Sequence, residues 1–168
     1  MDNNIMEPKE LTLENFRKYG NYVKLLEASS PCFFKIGKPP IEFFPDLLSL
    51  DLDGKALGIS LCQVQPRQGK IDLLEHHNRT EEGILPLDGE VLLQLGAPSE
   101  GEVPPRNIEL FRIPKLTFVS LKRGVWHHAP FVVGNKVVNI LILLAQRTYH
   151  SDCELKEIAE IPIDKIPS

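Results

Sequence analysis

The chain has 168 residues, of which 42% are hydrophobic and 25% charged, the balance of a globular domain long enough to bury a core. A net charge of −4 and the absence of a Lys/Arg-rich patch exclude the electrostatic footprint of a nucleic-acid-binding protein. The longest apolar run, Val137 to Ala145 with Asn139 inside it, is too short to span a bilayer, and the polar start Met1-Asp-Asn-Asn lacks the apolar stretch of a secretory signal. Cys32, Cys62 and Cys153 form no CxxC pair and read as reduced thiols of a cytoplasmic protein, with Cys62 a small hydrophobe on a strand.

Along the chain, the first element is a short helix. Thr12 caps it, Leu13 and Phe16 share a face, and Gly20 stops it. After it, short apolar runs alternate with Pro, Gly and Asp breaks. The spacing predicts strands over Cys32–Ile36, Leu47–Leu52, Ala56–Val64, Ile71–His77, Ile84–Leu87, Val91–Leu95, Ile108–Phe111, Leu116–Leu121, Pro130–Val133 and Lys136–Ala145. Asp53-Gly54, Asp88-Gly89 and Gly134-Asn135 read as tight hairpin turns, because a two-residue type I′ turn requires positive φ at both positions. The proline-rich Gly96 to Arg106 stretch reads as an exposed loop, and the polar tail from Ser151 is expected to wrap the barrel or fray. The expected organisation is one all-β domain, a sandwich or barrel: helix and lead-in over 1–22, barrel over 30–146, tail over 147–168.

Glu75, His77, Glu82 and Gly89 fall in the spacing Glu-x-His-x4-Glu-x6-Gly, and Gly124-Val-Trp-His127 follows some way downstream. Residues i and i+2 of a strand share a face, so Glu75 and His77 point one way and His76 the other. A turn brings Glu82 back across from them, and His127 enters from a further strand, with His128 pointing away. Each residue alone reads as a solvated charge or a satisfied core histidine. Two carboxylates and two imidazoles on neighbouring strands read as the shell of a divalent metal.

The spacing resembles the paired motifs of the cupin superfamily, G-x5-H-x-H-x3,4-E-x6-G and G-x5-P-x-G-x2-H-x3-N. Glu75 stands at the first histidine; His77, Glu82, Gly89, Gly124 and His127 match; Lys122 and Phe131 stand where proline and asparagine are common. A closer resemblance, to the bacterial ureidoglycolate lyase family, rests on six ordered motifs. Leu11-Thr-Leu-Glu-Asn-Phe-Arg-Lys-Tyr-Gly20 resembles its L…F..YG, Gln65-Pro66 its R.QP, and Leu74-Glu-His-His77 its LERHP. Leu85-Pro-Leu-Asp-Gly-Glu90 resembles its P..GE, Gly124-Val-Trp-His-His-Ala-Pro130 its..VWHHP, and Arg147 with Cys153-Glu154 its closing R….NCD. Departures fall at Gln63 and Gln146, where the family carries charged residues that could hold an anionic substrate, and at Thr80-Glu-Glu82, where its GTQ places a neutral amide.

The resemblance implies a cupin-like β-barrel (double-stranded β-helix or jelly roll) and cleavage of ureidoglycolate to glyoxylate and urea, within allantoin degradation and purine catabolism. It implies a divalent ion, which a Glu2His2 shell would accept as nickel, manganese, zinc or iron. Glu75, His77, Glu82 and His127 are the expected metal shell, with Glu82 the weakest ligand and an alternative acid–base group. His77, Glu82 and His127 are the expected catalytic set. Arg123 and Arg147 are candidates to pair with a substrate carboxylate, Glu90 is a candidate to face the cavity, and Trp126 reads as a barrel-wall or interface aromatic. A homodimer is also implied, with Cys32–Phe34 and Phe43-Phe44 as a candidate apolar edge. The competing readings are a cupin with another small-acid substrate, including a non-haem metal oxygenase, and a non-catalytic small-ligand-binding cupin.

Overall fold

The computed structural model describes residues 6–27, 33–99, 108–163 and 166. These residues are all-β apart from two four-residue helices and one 3-10 turn, and their strands form two main layers. One layer is a five-stranded antiparallel sheet in the order β2 (Gly20–Lys24), β10 (Thr117–Leu121), β7 (Glu82–Pro86), β12 (Val138–Ala145) and β5 (Leu57–Val64). The other is a four-stranded sheet in the order β1 (Pro8–Glu10), β9 (Ile108–Ile113), β8 (Val91–Gly96) and β11 (Phe131–Val132). Isolated bridges at Gly96–Trp126 and Glu75–His127 lead from β8 to a further pair, β6 (Lys70–His76) with β13 (Glu154–Pro162). A small hairpin, β3 (Ile36–Lys38) with β4 (Ile41–Phe43), stands apart. Among the described residues the ladders remain separate, so ladder hydrogen bonds do not close the barrel.

Strand alternation divides the interior in two. From β8, Val91, Leu93 and Leu95 join a cluster with Ile84, Phe111, Val119, Leu121, Val138 and Ile140 that fills the space between the two sheets. Leu92 of the same strand points the other way and packs with Leu74, Leu110, Trp126 and Phe131. β8 is therefore buried on both faces, which is why it reads as a near-continuous apolar run.

Several sequence expectations are corrected. Thr12 does cap the first helix, with the Thr12 hydroxyl accepting from Asn15 N and the Asn15 side chain accepting from Thr12 N, but α1 spans only Leu13–Phe16. Gly20 opens β2 because β10 claims residues 20–24 as its ladder partner. Leu47–Leu52 is not a strand. Leu50 lies against Gly83 of β7, whose two edges are already taken by β10 and β12, and the segment packs as a loop. Asp88-Gly89 and Gly134-Asn135 do not close hairpins, because each joins strands of different sheets. Neither Asp88 nor Gly89 has positive φ; glycine is required at 89 by close approach, since a Cβ there would lie 2.4 Å from Val138 Cγ2. Asp53-Gly54 alone is a true I′ turn, with φ of 54° and 68° closed by Lys55 N donating to Leu52 O. The tail wraps: α2 (Thr148–Ser151) leads into β13, and Ile163 bridges Met6. Cys32 and residues 100–106 of the expected loop lie outside the described residues.

Candidate metal centre

β6 and β7 face opposite layers, and the turn between them carries the site. His77 lies one residue past the end of β6 and Glu82 opens β7. Asp152 fixes that turn: its carboxylate accepts the backbone N–H of Asn78 at 3.0 Å and of Arg79 at 2.8 Å, and its carbonyl lies 2.7 Å from His77 Nδ1. The second histidine arrives through a turn in which Gly124 has φ of 75°, a left-handed conformation that favours glycine. Gly124 N donates to His77 O at 2.6 Å, and Glu75 and His127 exchange two backbone hydrogen bonds. The ladder thus places His127 directly across from Glu75, and both expected motifs meet.

His77, Glu82 and His127 are 5%, 6% and 3% exposed, and their ligand atoms lie within 4.8 Å of one another. Glu82 Oε2 is 3.1 Å from His77 Nε2 and 2.7 Å from His127 Nε2. Each ring is turned by its other nitrogen, His77 Nδ1 on the Asp152 carbonyl and His127 Nδ1 on the Val125 carbonyl at 2.9 Å. An Nδ1–H donated to a carbonyl leaves Nε2 as the lone-pair atom, the arrangement that orients histidine toward a metal. Two imidazoles and a carboxylate, buried and aimed at one point, fit a divalent ion.

The electrostatics of the protein without an ion follow from the same contacts. Burial alone would raise the Glu82 carboxyl, but the charge and hydrogen bond of His127, with those of His77, hold it at about 2. Burial alone would lower His127, yet Glu82, with the more distant Glu75, raises it to about 9. His77 is likewise raised, with Glu82 outweighing burial. The trio therefore keeps a proton on imidazole and a charge on carboxylate, and an ion entering the site must displace that proton.

The other candidates lie apart from this cluster. Glu75 shares the face of His127, but its carboxylate is outside the three-atom cluster and accepts the Cys153 thiol at 3.1 Å. His76 does point the opposite way, stacked on Trp126 with centroids 3.8 Å apart and bonded to Glu154, which makes Trp126 a wall residue. Arg123 is paired with Asp51 at 2.5 Å, Glu90 is bonded to Arg112, and Arg147 is exposed at the start of α2. Gln63 is exposed on the outer face of the five-stranded sheet and bonded to Asn139, and Gln146 is exposed just past the end of β12, beside Gly58; neither is among the three clustered donors. Cys62 is half-buried and faces the core between the sheets. Sequence reasoning missed Asp152; its signal was its place beside the Cys153-Glu154 motif.

The family model described as ureidoglycolate lyase matches residues 3–163. The ureidoglycolate lyase of Escherichia coli strain SMS-3-5 is 26% identical over 153 residues, covering 89% of this chain and 92% of that protein. The same figures hold for the ureidoglycolate lyase of E. coli strain K12. Among solved structures, an oxalate decarboxylase from Bacillus subtilis aligns with a TM-score of 0.42 at 16% identity, over 57% of this chain and 24% of that one. A structure of oxalate decarboxylase that addresses its substrate-binding mode aligns with a TM-score of 0.44 at 16% identity, over 60% of this chain and 24% of that one. The chain spans about a quarter of those oxalate decarboxylase chains.

Proposed function

We propose a function from one premise: the chain belongs to the ureidoglycolate lyase family. The proposal is that it is a metal-dependent carbon–nitrogen lyase cleaving ureidoglycolate to glyoxylate and urea. One observation carries it: the family's motif positions converge on a buried His77–Glu82–His127 trio that could hold a metal ion. His77 Nε2, Glu82 Oε2 and His127 Nε2 would hold a divalent ion, and the bound ion would supply Lewis acidity to the hydroxyl and carboxylate oxygens of the substrate.

The chain's own residues supply the rest. The reaction removes the hydroxyl proton, turns that oxygen into the aldehyde carbonyl, breaks the carbon–nitrogen bond and returns a proton to the urea nitrogen, with no net oxidation. Glu75 stands on the face of His127, half-buried and outside the three-donor cluster, with the Cys153 thiol bonded to its Oε2. We assign it the proton transfer, to be taken from the hydroxyl and given to the leaving nitrogen. Glu82, expected as the weakest ligand, thereby keeps the ligand role, and Glu75, expected as a ligand, takes the acid–base role that was the alternative for Glu82. Arg123, Arg147 and Glu90 are left out of the substrate contacts, because two are bonded elsewhere and the third is exposed.

Incubation of metal-replete protein with ureidoglycolate is expected to yield equal amounts of urea and glyoxylate. His77→Ala and His127→Ala should each abolish both, and Glu75→Gln should abolish turnover while keeping the metal. Urea release that survives both histidine substitutions overturns the site, and its absence from a metal-replete sample overturns the substrate. A second reading is favoured by the composition of the trio, since two imidazoles and one carboxylate are the facial triad of non-haem iron oxygenases. Oxygen uptake by the iron-loaded protein would establish that reading. A sample that takes up no stoichiometric metal would leave a ligand-binding module.

The same proposal includes a cytoplasmic homodimer. β5 is an edge strand of the five-stranded sheet, and its outer side exposes Leu57 at 42%, Ile59 at 66% and Leu61 at 59%. An unpaired apolar edge invites a two-fold partner strand from a second copy. Phe34 and Phe43 are also exposed, at 72% and 58%, while Phe44 is half-buried. Light scattering should give a dimer, and Ile59→Lys with Leu61→Lys should give a monomer; a monomeric parent sinks the assignment.

A further inference from the structure

Below the Glu75–His127 bridge, β6 separates from the chain that follows His127. The gap is a cavity of about 150 Å³, walled on one side by Lys70–Leu73 and on the other by His128, Ala129 and Phe131, with Arg67 and Gln94 completing it. None of His77, Glu82 and His127 lines it. It has room for a molecule of several heavy atoms.

Two wall groups have unspent hydrogen-bonding capacity of opposite kind. Arg67 is stacked over the Phe131 ring, its Cζ 4.2 Å from the centroid. Its Nη1 donates to Pro130 O at 2.8 Å and its Nη2 to Ala129 O at 2.7 Å. A guanidinium has five N–H donors; the others have no protein acceptor, and Arg67 makes no ion pair among the described residues. The neighbouring Lys70 is already committed, to Asp72 at 2.9 Å and Glu160 at 3.3 Å. Gln94 is 1% exposed, and its Oε1 has no partner. Its Nε2 lies 3.4 Å from Ala129 O, and turning the amide over would set oxygen against oxygen, so the orientation is fixed. A buried carbonyl oxygen without a donor is costly, and a guanidinium held rigid by stacking is organised to take a carboxylate through paired hydrogen bonds.

We propose that this gap is a second ligand site, separate from His77, Glu82 and His127, for small carboxylates that carry an adjacent N–H donor. The carboxylate pairs with Arg67 and the N–H donates to Gln94 Oε1. The proposal does not rest on the lyase reading. N-carbamoylglycine is the probe, because it has the carboxylate and the ureido N–H but no hydroxyl to lose. Acetate and urea carry the two halves.

Calorimetric titration of the metal-loaded full chain should show N-carbamoylglycine binding roughly tenfold or more tightly than acetate or urea. Arg67→Gln should weaken it by roughly tenfold or more. Gln94→Leu should reduce it to the level of acetate and leave acetate unchanged. His77→Ala, which removes the metal centre, should bind it as the parent does. Equal binding by the parent and Gln94→Leu overturns the proposal, and so does loss of binding in His77→Ala, which would move the ligand to the metal centre. No binding by the parent also overturns it and leaves water as the partner of Gln94. If Arg67→Gln fails to fold for want of its two carbonyl contacts, Gln94→Leu decides alone.

Discussion

Metal affinity should depend on pH through His127, and Glu82→Gln should remove that dependence. In the metal-free trio His127 is held at about 9 against an ordinary 6.5, chiefly because Glu82 overrides the effect of burial. At about 1.4 kcal/mol per pH unit, that separation is worth about 3 kcal/mol in favour of the imidazolium. At pH 7 the ring sits about two pH units below its midpoint, so only about one molecule in a hundred offers a free Nε2. Apparent affinity for nickel should therefore rise about tenfold per pH unit from 7 and level off near 9, a gain of about a hundredfold. The raised His77 steepens the lower part of the curve. Competition against a chromophoric chelator across this range gives the curve, and calorimetry in buffers of different ionisation enthalpy gives the protons released. In Glu82→Gln the buried His127 should titrate well below about 9, visible in its ring nitrogen resonances. A parent affinity that is flat with pH, or no proton released at pH 7, would refute the account of the trio.

Without metal, the same couplings shape stability. The depressed Glu82 contributes above its ordinary 4.5 and its contribution is lost as pH falls toward about 2; the raised His127 contributes below 6.5 and is lost as pH rises through about 9. Denaturant midpoints of the metal-free protein should therefore peak between about 4.5 and 6.5 and fall on both sides. Asp152→Ala frees the turn that carries His77, and should lower metal affinity by about 10–100-fold with little change in the far-ultraviolet spectrum. Gly124→Ala forces a side chain into the left-handed region 3.3 Å from Pro98 Cβ, and should cost about 1–2 kcal/mol, read as a lower melting temperature.

The residues of the candidate metal centre were legible because their signal is local. A two-residue repeat sends His77 and His76 to opposite faces whatever the partner strands are, and the structure does place His76 on Trp126 and His77 on Glu82. The turns were not legible. Asp88-Gly89 has the composition of a hairpin, yet β7 and β8 lie in different sheets, and no local pattern says which strand will be a neighbour in space. Glycine at 89 is needed for the approach of Val138, a residue far along the chain. β13 was hidden for a related reason. Its sequence alternates weakly, and it becomes a strand by pairing with β6, whose other edge has only one bridge among the described residues.

By itself, the sequence determined the strand-rich class, the capped first helix, and which residues could meet at a metal, because propensity, capping and side-chain alternation act over a few residues. Only the tertiary structure decided that Glu82 stands between the two imidazoles while Glu75 stands aside. Only it decided that Arg123, Arg147 and Gln63 are spent or exposed elsewhere, and that Asp152 locks the turn. Those outcomes depend on which strands are neighbours and on what remains unpaired after they meet. These are properties of the whole chain's packing and of no segment taken alone.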